Sequence, residues 1–226
     1  IVKNMEVSTL APDEQNYFET LKTWNLRNDT DSKGATLFVL TWDSLENVVW
    51  DDEFSKTNLQ LMMPYESTLL NNILKDSAFK FLDNINTPQV ETLGDDVTLA
   101  FKQAVTVAKK ADADGRLEWA KYKDTKILHL ARLDALSRLH LPVGGGTNTI
   151  NATNNQHGPS WRLVVSLTPQ TEAWGVYPGG QSGNPGSRFY DDFVDTWAAG
   201  KYNLLWIMKV ADETSNKVKW KMSFKP

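Results

Sequence analysis

Apolar positions over residues 1–142 recur every three to four places between helix-entry and helix-exit residues, which predicts a mostly helical half. Pro12 followed by Asp13 and Glu14 makes a helix entry, because proline is pre-set for the first turn and acids face the positive end of the helix dipole. Tyr17, Phe18, Leu21 and Trp24 then follow at helical spacing, predicting a helix over 12–24. Ser32 is placed to cap a second helix that carries Leu37, Phe38, Leu40, Leu45, Val48, Val49 and Trp50 and closes at Asp51, Asp52 and Glu53. A third helix is expected over 65–82. A fourth is expected over 95–110, with Val97, Leu99, Ala100, Ala104, Val107 and Ala108 as its apolar stripe. The run 127–141 reads as either a helix or an irregular apolar segment, ended by Pro142 and the glycines 144–146.

The pattern then changes. From Thr147 onward β-branched and aromatic residues alternate with turn formers, predicting strands over 147–152, 161–167, 172–177, 204–209 and 217–225. In the last of these Val218, Trp220, Met222 and Phe224 alternate with Lys217, Lys219 and Lys221, the pattern of a strand with one wet face. A helix over 188–199 interrupts them, with Ser187 as its cap and Phe189, Phe193, Val194 and Trp197 as its buried stripe. The fold class is therefore α+β, a mostly helical lobe over 1–142 followed by a β-rich segment with one helix over 143–226.

Composition narrows the functional classes. The 226 residues are 41% hydrophobic and 23% charged, with 9 Trp and 9 Phe, enough to build a packed core. A net charge of −4 provides no basic footprint for nucleic acid or anionic lipid, and no apolar run is long enough to span a bilayer. With no cysteine, disulfides, thiolate catalysis and cysteine metal sites are excluded.

Three candidate chemistries can be tested on spacing. Asp112, Asp114, Gly115 and Glu118 suggest a calcium loop, but with Gly115 at the glycine position the end ligands fall on Lys110 and Lys121, which cannot donate oxygen. His129, His140 and His157 lack zinc spacing, so no metal site is predicted. The glycines 144–146 precede a strand pattern rather than a helix, which leaves no phosphate cradle. Gly180-Gln181-Ser182-Gly183 resembles a nucleophile elbow only loosely, since turn residues flank it on both sides.

The segment His157-Gly158-Pro159-Ser160-Trp161-Arg162-Leu163-Val164-Val165 is followed by Tyr177-Pro178-Gly179-Gly180-Gln181-Ser182-Gly183-Asn184-Pro185-Gly186-Ser187-Arg188-Phe189-Tyr190-Asp191-Asp192. Together with Trp197 to Tyr202, it resembles the C-terminal signature of the penicillin acylases, a family of N-terminal nucleophile hydrolases. Weaker echoes lie at 21–24, 36–42, 117–122, His129 and 144–152, so the likeness covers nearly the whole chain.

The resemblance implies part of an αββα sandwich, its late strands and helix, preceded by an inserted helical lobe within the C-terminal part of the large subunit. Its partners would be the remainder of its own precursor and a small N-acyl substrate, with no cofactor and an exported, periplasmic location. The family's nucleophile is a serine that is residue one of the large subunit and uses its own α-amine as base. Ile1 has neither hydroxyl nor thiol, so the resemblance places the nucleophile and the oxyanion donors upstream. It implies that the fragment alone is inactive and transfers no catalytic residue.

The signature residues Arg162, Gly179, Gly180, Gln181, Ser182, Gly183, Asn184, Pro185, Ser187, Tyr190 and Asp192 then read as structural. Gly179, Gly180, Gly183 and Gly186 would permit positive φ, and Gln181 and Asn184 would satisfy loop backbone groups; a second reading has the signature shape the substrate cleft, with Arg162 and Asp192 as ion partners behind it. The alternative is a non-catalytic binding module that presents Trp174 or Tyr177 to a ligand.

Overall fold

Two separately packed units divide the chain, one of residues Ile1–Asp124 with Gly144–Ile150 and one of Thr125–Val143 with Asn151–Pro226. A computed structural model describes residues 1–54, 61–76, 78–209, 212 and 214–225.

The first unit is built on α1 (Pro12–Lys22), α2 (Lys33–Phe54), α3 (Glu66–Lys75), α4 (Leu93–Ala113) and α5 (Trp119–Lys123). The entry to α1 forms as expected: Pro12 takes the first position and the Glu14 carboxylate accepts the Ala11 N–H at 2.8 Å. Ser32 Oγ accepts the Ala35 N–H at 3.1 Å, and Thr92 and Asp95 cap α4 reciprocally. Gly34 lets α2 begin directly beneath Trp24, since a Cβ there would lie 2.5 Å from Trp24 Cβ.

The stripe of α4 differs from the expectation. Leu99 and Val107 face outward, about half exposed, whereas Phe101 and Val105 are buried with Val97, Ala100, Ala104 and Ala108. At 100° per residue, positions 97, 100, 101, 104, 105 and 108 share one face, 99 lies opposite it, and 107 lies at its edge beside Ala100. The alanines let α2 approach closely, and Phe101 meets Phe18 edge-on at 6.2 Å.

The expected helix over 65–82 stops at Lys75. Asp76 Oδ1 accepts the Ala78 N–H at 2.9 Å, giving the backbone a local turn in place of helix, and a 3-10 turn follows at Lys80–Leu82.

The glycine-rich segment belongs to this unit and is not a strand. Thr149 Oγ1 accepts from Gly146 N–H at 3.0 Å and closes a side-chain turn that replaces the strand expected over 147–152. The buried Lys123 ammonium donates to the Gly144 and Gly145 carbonyls, each at 3.0 Å, and Trp119 Nε1 donates to Gly145 O at 2.6 Å.

Burial pushes the Lys123 pKa down to about 8 from 10.5. Between these values the unfolded chain holds more protons than the folded one, so this group's contribution to stability rises with pH from about 8 to 10.5, by on the order of 3 kcal/mol. Urea midpoints of wild type and Lys123→Met should therefore diverge in favour of wild type as pH goes from 7.5 to 10. Parallel profiles would contradict the buried ammonium.

The second unit pairs β1 (Thr125–Ile127) with β2 (Arg138–Leu141), and orders β3 (Arg162–Ser166), β4 (Glu172–Val176) and β5 (Asn203–Leu205) in one antiparallel sheet. Trp174 of β4 stands opposite Val164 and Leu204. The ambiguous run 127–141 thus resolves into strand, 3-10 turn and strand.

Leu141, Val143, Val176, Val194 and Trp197 form the core, with Trp197 on α6 (Val194–Ala198) fully buried. That helix is far shorter than 188–199, because residues 185–193 form successive tight turns instead. Its N-cap is Phe193, so Ser187 does not cap it and accepts the Phe189 N–H at 3.2 Å.

The strand expected over 204–209 ends at Leu205. The described residues of 217–225 carry no ladder, and Trp220, Met222 and Phe224 are almost fully exposed. Alternation marks a face that suits a sheet, but a strand also needs a neighbour to take its N–H and C=O groups.

Candidate functional site

The signature loop after β4 closes on itself through its backbone. Phe193 N–H donates to Gly179 O and Ser182 N–H to Phe189 O, each at 3.0 Å, so the two limbs of the loop lie against one another. Gly180 sits where they cross: a Cβ there would lie 2.1 Å from Phe189 O and 2.6 Å from Tyr190 O.

The Asn184 carboxamide accepts the Gly186 N–H at 2.9 Å, and Asn184 O accepts the Ser187 N–H. Pro185 leads the turn between them, since proline supplies a fixed φ and needs no donor partner. Gln181 is exposed and makes no hydrogen bond among the described residues, so only Asn184 fills the role expected of the pair.

Gly179, Gly180, Gly183 and Gly186 were all expected to permit positive φ. Among the described glycines only Gly115, Gly145 and Gly200 adopt it. Close approach rather than backbone sign is what Gly180 provides, whereas Gly183 meets no atom within 4 Å.

The far side of the loop docks on the β1–β2 hairpin of the same unit. Tyr190 OH donates to Leu136 O at 2.9 Å, and Arg138 donates to Asp191 at 2.8 Å and also to Asp195. Burial opposes the Arg138 charge, but the hydrogen bonds to Asp191 and Asp195 outweigh it and raise the guanidinium pKa.

A cleft of about 300 Å³ lies between hairpin and loop, walled by Leu128, His129, Arg138, Gly180, Tyr190 and Asp191. Its polar groups are occupied: Asp191 turns to Arg138, and His129 Nδ1 accepts the Ala131 N–H at 3.2 Å. Ser182 is held the same way, its hydroxyl accepting the Asn184 N–H at 3.1 Å. A nucleophile needs a base within hydrogen-bond reach, and the partner of this hydroxyl is a backbone donor.

Arg162 is placed differently from the expectation. It donates to Trp197 O and to Asn151 Oδ1, each at 2.6 Å, and lies 4.8 Å over the Trp197 ring. Asp192 is exposed and forms no ion pair among the described residues; the ion pairs of this region are Arg138 with Asp191 and with Asp195. Arg138 was missed because its partners lie more than fifty residues away, and nothing local in the run 127–141 marks it.

The other sequence candidates are also accounted for. Asp112 accepts from Lys33 at 2.9 Å and Glu118 pairs with Lys121 at 2.7 Å. Trp174 and Tyr177 are half-buried rather than presented to solvent, Tyr177 lying between Trp161 and Phe193 with ring centroids at 6.2 and 5.2 Å.

Comparison with known proteins fits this arrangement into a family. The family model described as penicillin amidase matches residues 1–213. The acyl-homoserine lactone acylase QuiP of Pseudomonas aeruginosa is 35% identical over 75 residues, which cover 30% of this chain and 9% of that protein. The solved thermostable penicillin G acylase of Alcaligenes faecalis matches with a TM-score of 0.53 at 12% identity, over 97% of this chain and 44% of its own. At that identity the likeness establishes the fold alone. This chain spans less than half the length of either relative.

Proposed function

The chain belongs to the penicillin amidase family, and from that membership we propose that it forms the helical lobe and late strands of a protein that hydrolyses the amide bond of an N-acylated small molecule. The observation that carries this reading is the family match over 1–213, together with a fold match that takes in 97% of the chain. The signature loop supports an architectural part in it: its hydrogen bonds close the loop or tie it to the β1–β2 hairpin and to α6, and the Ser182 hydroxyl serves the loop backbone. Leu163, Val164 and Val165 on β3 are successive and each at least 40% exposed, so both faces of that strand offer apolar surface to further layers of a sandwich.

In this reading the nucleophile is an N-terminal serine exposed by self-cleavage of an exported, periplasmic precursor, and the rest of that precursor is the partner of this segment. The serine α-amine, titrating near neutrality, takes the hydroxyl proton as the hydroxyl attacks the amide carbon, and returns it to the leaving amine. Among the described residues no helix is long and apolar enough to cross a membrane, which is compatible with a periplasmic enzyme.

The test uses the full-length, processed protein on phenylacetyl, aliphatic acyl and acyl-homoserine lactone amides. We expect turnover of at least one class, and a Ser182→Ala variant within about twofold of wild type, since that hydroxyl does no chemistry. Inactivity on the whole panel would defeat the amidase reading. Loss of more than about a hundredfold in Ser182→Ala, with folding intact, would make Ser182 the nucleophile instead.

A further inference from the structure

A second cavity lies wholly within the helical unit, about 350 Å³ in volume, and the amidase reading makes no use of it. Its walls are aromatic: Trp24 and Phe38 have ring centroids 5.2 Å apart, Phe38 and Trp42 stack at 6.5 Å, and the buried Trp119 completes the lining. Phe38 and Trp42 are four residues apart on α2, as are Val39 and Asp43, so one face of that helix supplies both the aromatic wall and a carboxylate. Glu66, in the first turn of α3, brings a second carboxylate to the rim, where it accepts from the Asn148 carboxamide.

Among the described residues neither Asp43 nor Glu66 pairs with a lysine or arginine, and the same holds for Glu46 one turn further along α2. Desolvation, with the charge of Glu66 added, raises the Asp43 carboxyl above its ordinary value; Glu46 is raised by the same two causes together with Asp43. A group that brought positive charge here would relieve that repulsion.

The ring faces are electron-rich and attract cations, and with the carboxylates at the mouth they make a pocket that repels anions. A metal ion fits poorly: it needs a shell of several oxygens, and no group of three His, Asp or Glu is disposed for one among the described residues. We propose that this cavity is a binding site for an organic cation, a primary ammonium on an apolar stem, with the stem against Trp24, Phe38 and Trp42 and the charge between Asp43 and Glu66.

The inference stands apart from the amidase reading and is tested by binding alone. Isothermal titration of the protein at pH 7.5 would use 2-phenylethylammonium, its neutral analogue 2-phenylethanol, and Nα-acetyl-lysine methylamide. We expect at least one of the two ammonium compounds to bind with a Kd below about 1 mM, and 2-phenylethanol to bind at least about tenfold more weakly than the better of them. Whichever ammonium binds better distinguishes a free amine from a lysine side chain as the natural source. Asp43→Asn with Glu66→Gln should weaken the ammonium at least about tenfold with the circular dichroism unchanged. Asp43→Asn alone should weaken it in the same direction. Binding of neither ammonium, equal binding of the alcohol, or affinity untouched in these variants would overturn the proposal.

Discussion

Gly180→Val is expected to unfold the signature loop at a cost of at least about 3 kcal/mol, whereas Gly183→Ala, three residues on, should leave stability unchanged or raise it by up to about 1 kcal/mol. The difference follows from the atoms each side chain would meet. At Gly180 a Cβ would lie 2.1 Å from Phe189 O, 2.5 Å from Tyr190 C and 2.6 Å from Tyr190 O. These are backbone atoms, so no rotamer change relieves the clash, and the limbs of the loop must separate. Separation breaks the hydrogen bond from Ser182 N–H to Phe189 O and pulls Tyr190 from Leu136 O and Asp191 from Arg138. At Gly183 nothing lies within 4 Å and φ is not positive, so an added methyl group mainly restricts the unfolded chain. Urea midpoints measure both effects. Equal midpoints for the two variants would show that the crossing at Gly180 is not what holds the loop.

That contrast also shows what was legible in the sequence. A glycine-rich turn was readable, but which glycine is indispensable was not, because the atoms it must avoid belong to Phe189 and Tyr190 and only the folded loop brings them near. The long helices were readable because their determinants are local: Pro12, Ser32 and Thr92 cap or open them, and a 100° periodicity sets the buried face. Even there, Leu99 shows that apolar character does not fix direction; angular position on the helix does.

The sheet region was less legible for a physical reason. Strands here are three to five residues long and exist only where a partner satisfies their backbone, so 172–176 forms between two neighbours while the equally suitable pattern at 217–225 forms none among its described residues. The residues that tie the site together share that dependence on distant partners. Arg162 was singled out but acts on Trp197 and Asn151, and Arg138, with no local mark, carries the ion pairs. Around the second cavity, Phe38 was read only as core stripe and Asp43 was not singled out, because the cavity needs α3 and the Gly146–Thr149 turn to close it.

Asp96→Asn should stabilise the helical unit by on the order of 2–4 kcal/mol at pH 8 and have little effect at pH 4. Asp96 lies in the first turn of α4, is 3% exposed, and its Oδ2 has no hydrogen-bond partner among the described residues. Desolvation is the main force on it, with Glu91, Asp95 and Asp52 adding repulsion, and together they push its carboxyl up to about 7 from 3.8. The folded chain therefore holds a proton there that the unfolded chain releases. The stability this contributes is whole below about pH 4, falls as pH rises, and is gone once pH passes about 7. A shift of this size corresponds to about 4 kcal/mol, and the favourable end of the helix dipole, which supports a negative charge at this position, trims it. Asparagine keeps the shape and removes the titration, so the stability gained by the variant should grow from pH 4 to pH 7 and then level off. Chemical denaturation of both proteins at unit pH steps measures that difference directly. A difference that stays flat across the range would mean that Asp96 is solvated or paired in solution, and an alkaline loss of the variant's advantage would assign the titration to another group.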